Sequence, residues 1–154
     1  MRVTVVYQCM FGNTYAVAEA VAAGARDAGP GIEVVVRPAW DAPHAALAGT
    51  GLLIAGGPSH APGFGEWLDA LPAARDGSLG AAFDTRDGYR LAGGAAHDIG
   101  RSLENSGYGL VARPEGFVVW GTEGPLRAGE RQRARRWGAQ VMITALARLP
   151  QARP

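Results

Sequence analysis

The sequence predicts an α/β fold, a doubly wound five-stranded parallel sheet with helices on both faces in three α/β/α layers. Short β-branched runs alternate along the chain with longer segments that have helical spacing. Most of these runs end in Gly, Pro, Ser or Asn, which favour turns. At 154 residues the chain fits one domain with a buried core. Alternating strands and helices of this kind are typical of a parallel sheet.

The first half of the chain predicts three strands and one long helix. Each strand is a short run rich in Val, Leu or Ile. The helix stops at Gly29-Pro30, a pair that ends helices. The predicted bounds are 2–7, 32–37 and 51–55 for the strands, 14–28 for the helix and 43–47 for one helical turn.

The second half predicts three helices and two strands. The helices cover 66–74, 95–106 and 127–149, and the strands cover 81–84 and 111–120. In the last helix one apolar stripe is predicted to be buried, which leaves the neighbouring arginines facing solvent. The stripe is Ala134, Trp137, Val141 and Ala145, and the arginines are Arg131, Arg133, Arg135 and Arg136. We expect one domain over 1–150 and a frayed tail over 151–154.

The composition excludes several classes of site. All 15 cationic side chains are Arg, which excludes a Walker-type phosphate loop and Schiff-base chemistry, because both need a Lys amine. The net charge of +1 favours neither nucleic acid nor a membrane as partner. The single cysteine, Cys9, cannot form an internal disulfide, and the three histidines have no metal-site spacing. With no apolar run long enough to cross a membrane, we expect a cytoplasmic protein.

A short loop joins the first predicted strand to the first predicted helix. It follows Tyr7, contains Gly12 and Asn13, and ends at Thr14. The first N–H groups of a helix lack intrahelical partners and the helix dipole is positive there, so the loop suits a phosphate. Helix capping by Asn13 and Thr14 explains the same residues without a ligand. Gly12 stands alone, without the G-x-G-x-x-G pattern of dinucleotide sites.

The residues around this loop resemble the signature of the flavodoxin family. That signature has two aliphatic residues, an aromatic one, a Ser or Thr, a small residue, a Thr, and then Ala and an aliphatic residue on the helix. Cys9 stands at the position of the Ser or Thr. The other positions match, with Val5, Val6, Tyr7, Gly12, Thr14, Ala18 and Val21.

Three further segments support the resemblance, which covers essentially the whole chain. Gly57, Pro58 and Ser59 resemble the Gly-x-Pro-Thr/Ser turn of flavodoxin-like proteins. Residues 81–86 and 120–126 are similar to segments of short, single-domain flavodoxin-like proteins from high-GC bacteria. The resemblance implies the flavodoxin-like form of the doubly wound sheet.

The resemblance also implies FMN, bound non-covalently at three loops. The phosphate would lie on the loop 9–14, and the isoalloxazine between the loops 58–64 and 85–94, where His60, Phe64 and Tyr89 are the aromatic candidates. The implied cofactor-binding residues are Cys9, Met10, Phe11, Gly12, Asn13, Thr14, Pro58, Ser59, His60, Phe64, Thr85, Arg86 and Tyr89.

Two functions remain open at this point. The first is electron transfer or a small FMN-dependent oxidoreductase reaction with a small-molecule substrate or a redox partner protein. Electron-shuttling flavodoxins are usually strongly acidic, and this chain is not. The second is a flavodoxin-like scaffold that has lost FMN and binds a small metabolite, or catalyses a non-redox step, at the same loops. The Cys9 substitution and the few aromatic candidates favour this second function.

Three residues are candidates for catalysis. A thiol among helix N-terminal amides, such as Cys9, favours the reactive thiolate, although simple replacement of a Ser is the plainer interpretation. His60 is either an acid/base near neutral pH or a solvated loop residue. Glu123 would serve the dipole of a helix starting at Pro125, or contact a substrate. A cysteine-dependent phosphatase is not predicted, since the loop lacks its closing Arg and no Asp-Pro acid follows.

Overall fold

One parallel sheet forms the centre of the molecule. The computed structural model describes residues 1–58, 63–88, 94–121 and 123–150. Within them the strand order is β2-β1-β3-β4-β5, and β6 also pairs with β4; all of these pairings are parallel. The strands are β1 (Arg2–Tyr7), β2 (Glu33–Pro38), β3 (Leu52–Pro58), β4 (Leu79–Asp87), β5 (Gly109–Leu110) and β6 (Glu115–Val119). Three site candidates, Ser59, His60 and Tyr89, and the predicted tail 151–154 lie outside the described residues.

Helices cover both faces of the sheet, which confirms the predicted doubly wound α/β class. One apolar cluster joins the sheet to α1 and α4, and a second joins its other face to α2 and α3. The helices are α1 (Asn13–Asp27), α2 (Phe64–Asp69), α3 (Ala95–Asn105) and α4 (Glu130–Arg148). Short 3-10 segments lie at Ala39–Asp41 and His44–Leu47. Within the described residues no helix has both the length and the apolar character needed to span a membrane.

The helices α1 and α4 touch backbone to backbone. A Cβ at Gly24 would overlap the carbonyl oxygen of Arg135, and one at Gly138 would overlap that of Val21. Only hydrogen fits at either crossing position, because the partner atom is backbone and cannot swing away. This contact fixes α1 against the sheet and thereby fixes the loop that precedes it.

Several predicted boundaries were wrong. The third strand continues through Gly56-Gly57 to Pro58, and β4 spans Leu79–Asp87 instead of 81–84. The reason is pairing with neighbours: Pro58 lies opposite Thr85, and Asp87 lies opposite Val119. Residues that usually form turns therefore belong to strands here, because they pair with the neighbouring strands of the sheet.

The predicted fifth strand, 111–120, is shorter in the structure, where β6 spans Glu115–Val119. A further strand, β5, ends just before the predicted range at Leu110, and both strands pair with β4. β5 pairs with Leu79 and Gly80, and β6 pairs with Phe83–Asp87 farther along. The break falls before Pro114, which has no N–H to donate to the ladder. The last helix begins at Glu130 instead of residue 127, and the second helix ends at Asp69 instead of residue 74.

Arg133 is not a solvent-facing residue, contrary to the prediction from the helical stripe. Its guanidinium donates to both Glu130 and Glu115, and also to the carbonyl oxygen of Gly116. It lies 4.5 Å from the centre of the Phe117 ring. Arg133 therefore ties α4 to the start of β6.

Candidate functional site

The loop between β1 and α1 lies at the carboxyl end of the central strands. The Gln8 N–H donates to the carbonyl oxygen of Gly56 (3.0 Å), which joins this loop to the end of β3. Gly12 has a φ of 83°, in the left-handed region that favours glycine. Its N–H donates to Cys9 Sγ at 2.9 Å. This bond closes the loop between Cys9 and Gly12.

The N-terminus of α1 keeps open amides. Its first intrahelical bond runs from the Ala16 N–H to the Gly12 carbonyl oxygen, so the amides of Asn13, Thr14 and Tyr15 have no intrahelical acceptor. No side chain caps the helix, and its first turn contains no acidic residue. From Gln8 through Ala18 the chain has no charged residue. The positive end of the α1 dipole is therefore not neutralised by a neighbouring carboxylate on its own segment.

The segment that follows β6 contacts the start of α1 through Glu123 and Gly124. Asn13 Nδ2 donates to the carbonyl oxygen of Glu123 at 2.9 Å. A Cβ at Gly124, whose φ is 101°, would overlap the Asn13 side-chain amide. The Gly124–Pro125 bond is cis. The prediction that a helix starts at Pro125 was wrong, since α4 begins five residues later, and the exposed Glu123 does not lie in its first turn.

Two buried hydroxyl groups join α1 to the end of β4. Thr14 Oγ1 and Thr85 Oγ1 are 2.8 Å apart, and the two residues are only 2% and 5% exposed. Thr85 lies in β4, not in a loop as the sequence predicted. The pair therefore connects the candidate phosphate loop to β4.

Arg86 is engaged by a neighbouring carboxylate. Its Nε and Nη2 donate to the two oxygens of Asp84, each at 2.8 Å, and this hydrogen bonding raises the Arg86 pKa. Asp84 is fully buried and its Oδ2 also accepts the Ala96 N–H at 2.9 Å. Asp84 thus caps α3, a role that sequence reasoning missed; an Asp inside the apolar run 81–84 was the available signal.

The aromatic candidates divide into buried and exposed residues. Phe64 is 3% exposed, and its ring stacks on Trp67 and packs against Gly57, so it is a core residue. Met10 and Phe11, in the loop before α1, are exposed. Sequence reasoning missed two exposed indoles at the carboxyl edge, Trp40 after β2 and Trp120 after β6. Their position at or shortly after the ends of predicted strands was the signal.

A cavity at the opposite edge of the sheet is a weaker candidate. It has a volume of about 370 Å³ and lies between residues 44–51 and 72–78. His44, at its rim, already bonds the Trp67 carbonyl oxygen through Nε2 at 3.0 Å. Ligands of open α/β sheets bind at the carboxyl ends of the strands, and this cavity lies at the amino ends. Among the described residues, no group of three or more His, Cys, Asp or Glu could hold a metal ion.

Comparison of the fold with known structures returns flavodoxins. A flavodoxin from the domain Archaea superposes with a TM-score of 0.76 at 20% identity, over 95% of this chain and 99% of that one. A short-chain flavodoxin associated with a non-canonical PDU bacterial microcompartment has a TM-score of 0.72 at 16% identity, over 94% and 99% of the two chains.

A larger protein contains the same unit. The flavodiiron core of a Synechocystis protein matches with a TM-score of 0.73 at 19% identity, over 96% of this chain and 36% of that one. No protein-family model matches the sequence, and no curated protein matches it. The likeness therefore lies in the fold, and the β2-β1-β3-β4-β5 order agrees with it. The chain has a flavodoxin-like fold.

Proposed function

We propose that this protein binds FMN and acts in electron transfer or as a small flavin-dependent oxidoreductase. The observation that carries the proposal is the N-terminus of α1, with its open amides and no acidic residue in the first turn. It lies beside β1 and β3, where the chain order of the sheet reverses. That is the position at which doubly wound sheets bind their ligands.

The described residues of this loop fit a phosphate. The amides of Asn13, Thr14 and Tyr15 are donors, and the α1 dipole favours negative charge. No acidic side chain in the loop would repel the anion. Asn13 is held in place by its bond to Glu123, so the loop is shaped before any ligand arrives.

The flavin end of the proposed site would lie at the carboxyl ends of β3 and β4. Pro58 and Thr85 are directly opposite each other there, near the ends of the two strands that precede the proposed flavin-binding segments. The proposed contacts Ser59, His60 and Tyr89 belong to these loops. Arg86, held by Asp84, would act by fixing the end of β4 and not through its guanidinium. Bound FMN would itself supply the one- and two-electron redox chemistry.

The structural neighbours support the proposal. They are flavodoxins and a flavodiiron core. The exposed apolar side chains at the carboxyl edge, Met10, Phe11, Trp40 and Trp120, would lie near a redox partner or a small-molecule substrate.

The test is flavin content followed by titration. Protein purified without added cofactor should release FMN on denaturation, and the stripped protein should quench the fluorescence of added FMN at one site per chain. Stripped, folded protein that leaves FMN fluorescence unchanged would refute the proposal.

One observation favours a second function, a scaffold that binds a small phosphate-bearing metabolite or catalyses a non-redox step without FMN. Cys9 Sγ accepts the hydrogen bond of the Gly12 N–H, so this amide is not available to a phosphate. Cys9 and Glu123 are the described candidates for such a step. A Cys9→Ser variant that binds FMN, beside a wild-type protein that does not, would favour this second function and identify Cys9 as the cause of the lost FMN binding.

A further inference from the structure

The chain that follows β6 folds back along the end of this strand as a short hairpin. The Trp120 N–H donates to the carbonyl oxygen of Pro125 at 2.9 Å, and the Arg127 N–H donates to that of Val118 at 2.9 Å. Val119 and Leu126 form an antiparallel bridge. We call residues 118–121 and 123–127 the β6 hairpin. Because backbone hydrogen bonds join its two sides, the hairpin can hold whatever it contacts in a fixed position.

One side of the β6 hairpin lies against the end of β4. The Gly88 N–H donates to the carbonyl oxygen of Val119 at 3.1 Å. A Cβ at Gly88 would lie 2.8 Å from Val118 Cγ1 and 3.4 Å from the Trp120 ring. Gly88 directly follows β4, so the hairpin fixes the point at which the chain leaves that strand.

The other side of the β6 hairpin lies against the start of α1. Asn13 Nδ2 donates to the carbonyl oxygen of Glu123 at 2.9 Å, and a Cβ at Gly124 would overlap the Asn13 side-chain amide. One hairpin thus contacts both the loop before α1 and the chain after β4. The proposed function assigns the phosphate to the first of these and the isoalloxazine to the second.

We propose that the β6 hairpin positions both halves of the cofactor site. Trp120 packs on Gly88 and supports the isoalloxazine half, and the Glu123–Gly124 backbone holds Asn13 in the phosphate half. Trp120 is 44% exposed, so its ring lies at the surface of the carboxyl edge and not in the core. The inference rests on the proposed function, from which it takes the two half-sites. It goes beyond that function because it assigns a role to a fourth segment, outside the three loops expected to bind FMN.

The experiment measures the affinities of stripped wild-type and variant proteins for FMN and riboflavin by flavin fluorescence. Trp120→Ala removes the ring that packs on Gly88. We expect it to weaken the binding of FMN and riboflavin alike, each about fivefold, which is the size of a typical single-residue effect. Trp120→Phe keeps an aromatic ring at this position and should recover most of both affinities.

A second variant, Gly124→Ala, acts on the phosphate half. Its methyl group would displace the Asn13 side chain, so FMN binding should weaken about fivefold. Riboflavin has no phosphate, so its affinity should change by less than about twofold. Gly31→Ala is the matched control, because Gly31 also has a positive φ, 75°, but nothing lies within 4 Å of its Cβ position. That variant shares the backbone strain and should keep both wild-type affinities.

The ratio of the FMN and riboflavin affinities separates positioning from a general loss of stability. A ratio that falls in Gly124→Ala and is unchanged in Trp120→Ala supports the inference. The same ratio in both variants, or wild-type affinities in both, would overturn it while leaving FMN binding by the wild-type protein intact. A Trp120→Phe variant that binds no better than Trp120→Ala would also overturn it. If the wild-type protein binds neither flavin, both the proposed function and this inference are wrong.

Discussion

The N-termini of α1 and α3 lie at the same edge of the sheet, but they differ in whether a carboxylate contacts the first turn of the helix. At α3, the buried Asp84 reaches the Ala96 N–H, so the protein supplies its own anion. At α1, no side chain caps the helix and no acid lies in the first turn. At α3 a carboxylate of the protein accepts one first-turn amide, whereas at α1 the first amides have no acceptor within the helix and no acid in the first turn. The difference teaches that the absence of a carboxylate at the start of α1 is informative beside α3, whose start has one.

The two ends are also anchored differently. α3 depends on a carboxylate, and a Cβ at Gly94 would overlap Asp84 Oδ2, so glycine is required for that approach. α1 depends on backbone contact with α4 through Gly24 and Gly138. Anchoring α1 from its far side leaves its N-terminal amides uncovered.

Removing the buried Asp84 carboxylate should have the largest effect on the free energy of unfolding. Asp84→Ala leaves the Ala96 N–H uncapped and the Arg86 guanidinium without its carboxylate. We expect a loss of about 3 kcal/mol in the free energy of unfolding, measured with urea, because three hydrogen bonds to a fully buried carboxylate are removed. Asp98→Ala, in the first turn of the same helix but exposed, should cost under about 0.5 kcal/mol. Equal effects of the two variants would show that Asp84 is not the anchor of α3.

Crowding the α1–α4 crossing should have the next largest effect. A methyl group at position 138 would meet the Val21 backbone, so Gly138→Ala should cost about 1–3 kcal/mol in urea unfolding. Gly65→Ala is the control, because nothing lies within 4 Å of its Cβ position in α2. That variant should be neutral or slightly stabilising. A neutral Gly138→Ala would contradict the close backbone contact.

The third prediction concerns Glu130, the buried acid at the start of α4. Burial alone would raise its pKa, but bonds from Arg133 and the Val118 N–H, with the charges of Arg133 and Arg127, hold the pKa below its ordinary 4.5. Since the folded pKa lies below the unfolded one, the stabilisation is complete above pH 4.5 and is lost as the pH falls through the folded value.

Glu130→Gln should therefore cost about 1 kcal/mol at neutral pH, through loss of charge-assisted bonds. The variant should also lose part of the acid-side fall in stability, measured as Tm between neutral and acidic pH. A variant with the wild-type slope would show that Glu130 does not contribute to it.

The smallest effect is predicted for a variant that gives α1 an acidic residue in its first turn, as α3 has. Tyr15→Glu puts a carboxylate in the first turn of α1 and should stabilise the ligand-free protein by about 0.3–1 kcal/mol relative to Tyr15→Gln. The same carboxylate should weaken FMN binding by repelling the phosphate. Tyr15→Gln also loses the Tyr7 ring contact, so the comparison isolates the charge. Equal Tm and equal FMN affinity in the two variants would contradict an uncompensated dipole at α1.

Sequence patterns predicted the fold better than the details of the site. The strand–loop–helix segment from Val5 to Val21 contains its own signals, because periodicity and turn residues act locally. The length of β4 could not be predicted, since Thr85–Asp87 are held in the sheet by pairing with Phe117–Val119. The Thr14–Thr85 contact joins residues 71 positions apart, and no local pattern encodes it.

The surroundings of two single residues could not be predicted for a similar reason. Phe64 falls in a predicted loop, yet it begins α2, and its ring stacks on Trp67 in the core. Arg133 has helical spacing typical of a surface residue, but the charges that bind it, Glu115 and Glu130, come from two elements. Burial of polar groups depends on their partners, and partners distant in sequence are not visible in one element.

The most direct test compares the two helix ends in one experiment. Backbone amide resonances of the protein would be followed by NMR during titration with FMN. We predict large shifts at the amides of Asn13, Thr14 and Tyr15, and little change at Ala96, whose N–H already bonds Asp84. No shift at the α1 amides with saturating FMN, or a larger shift at Ala96 than at Thr14, would contradict the claim that the open helix end is the phosphate site.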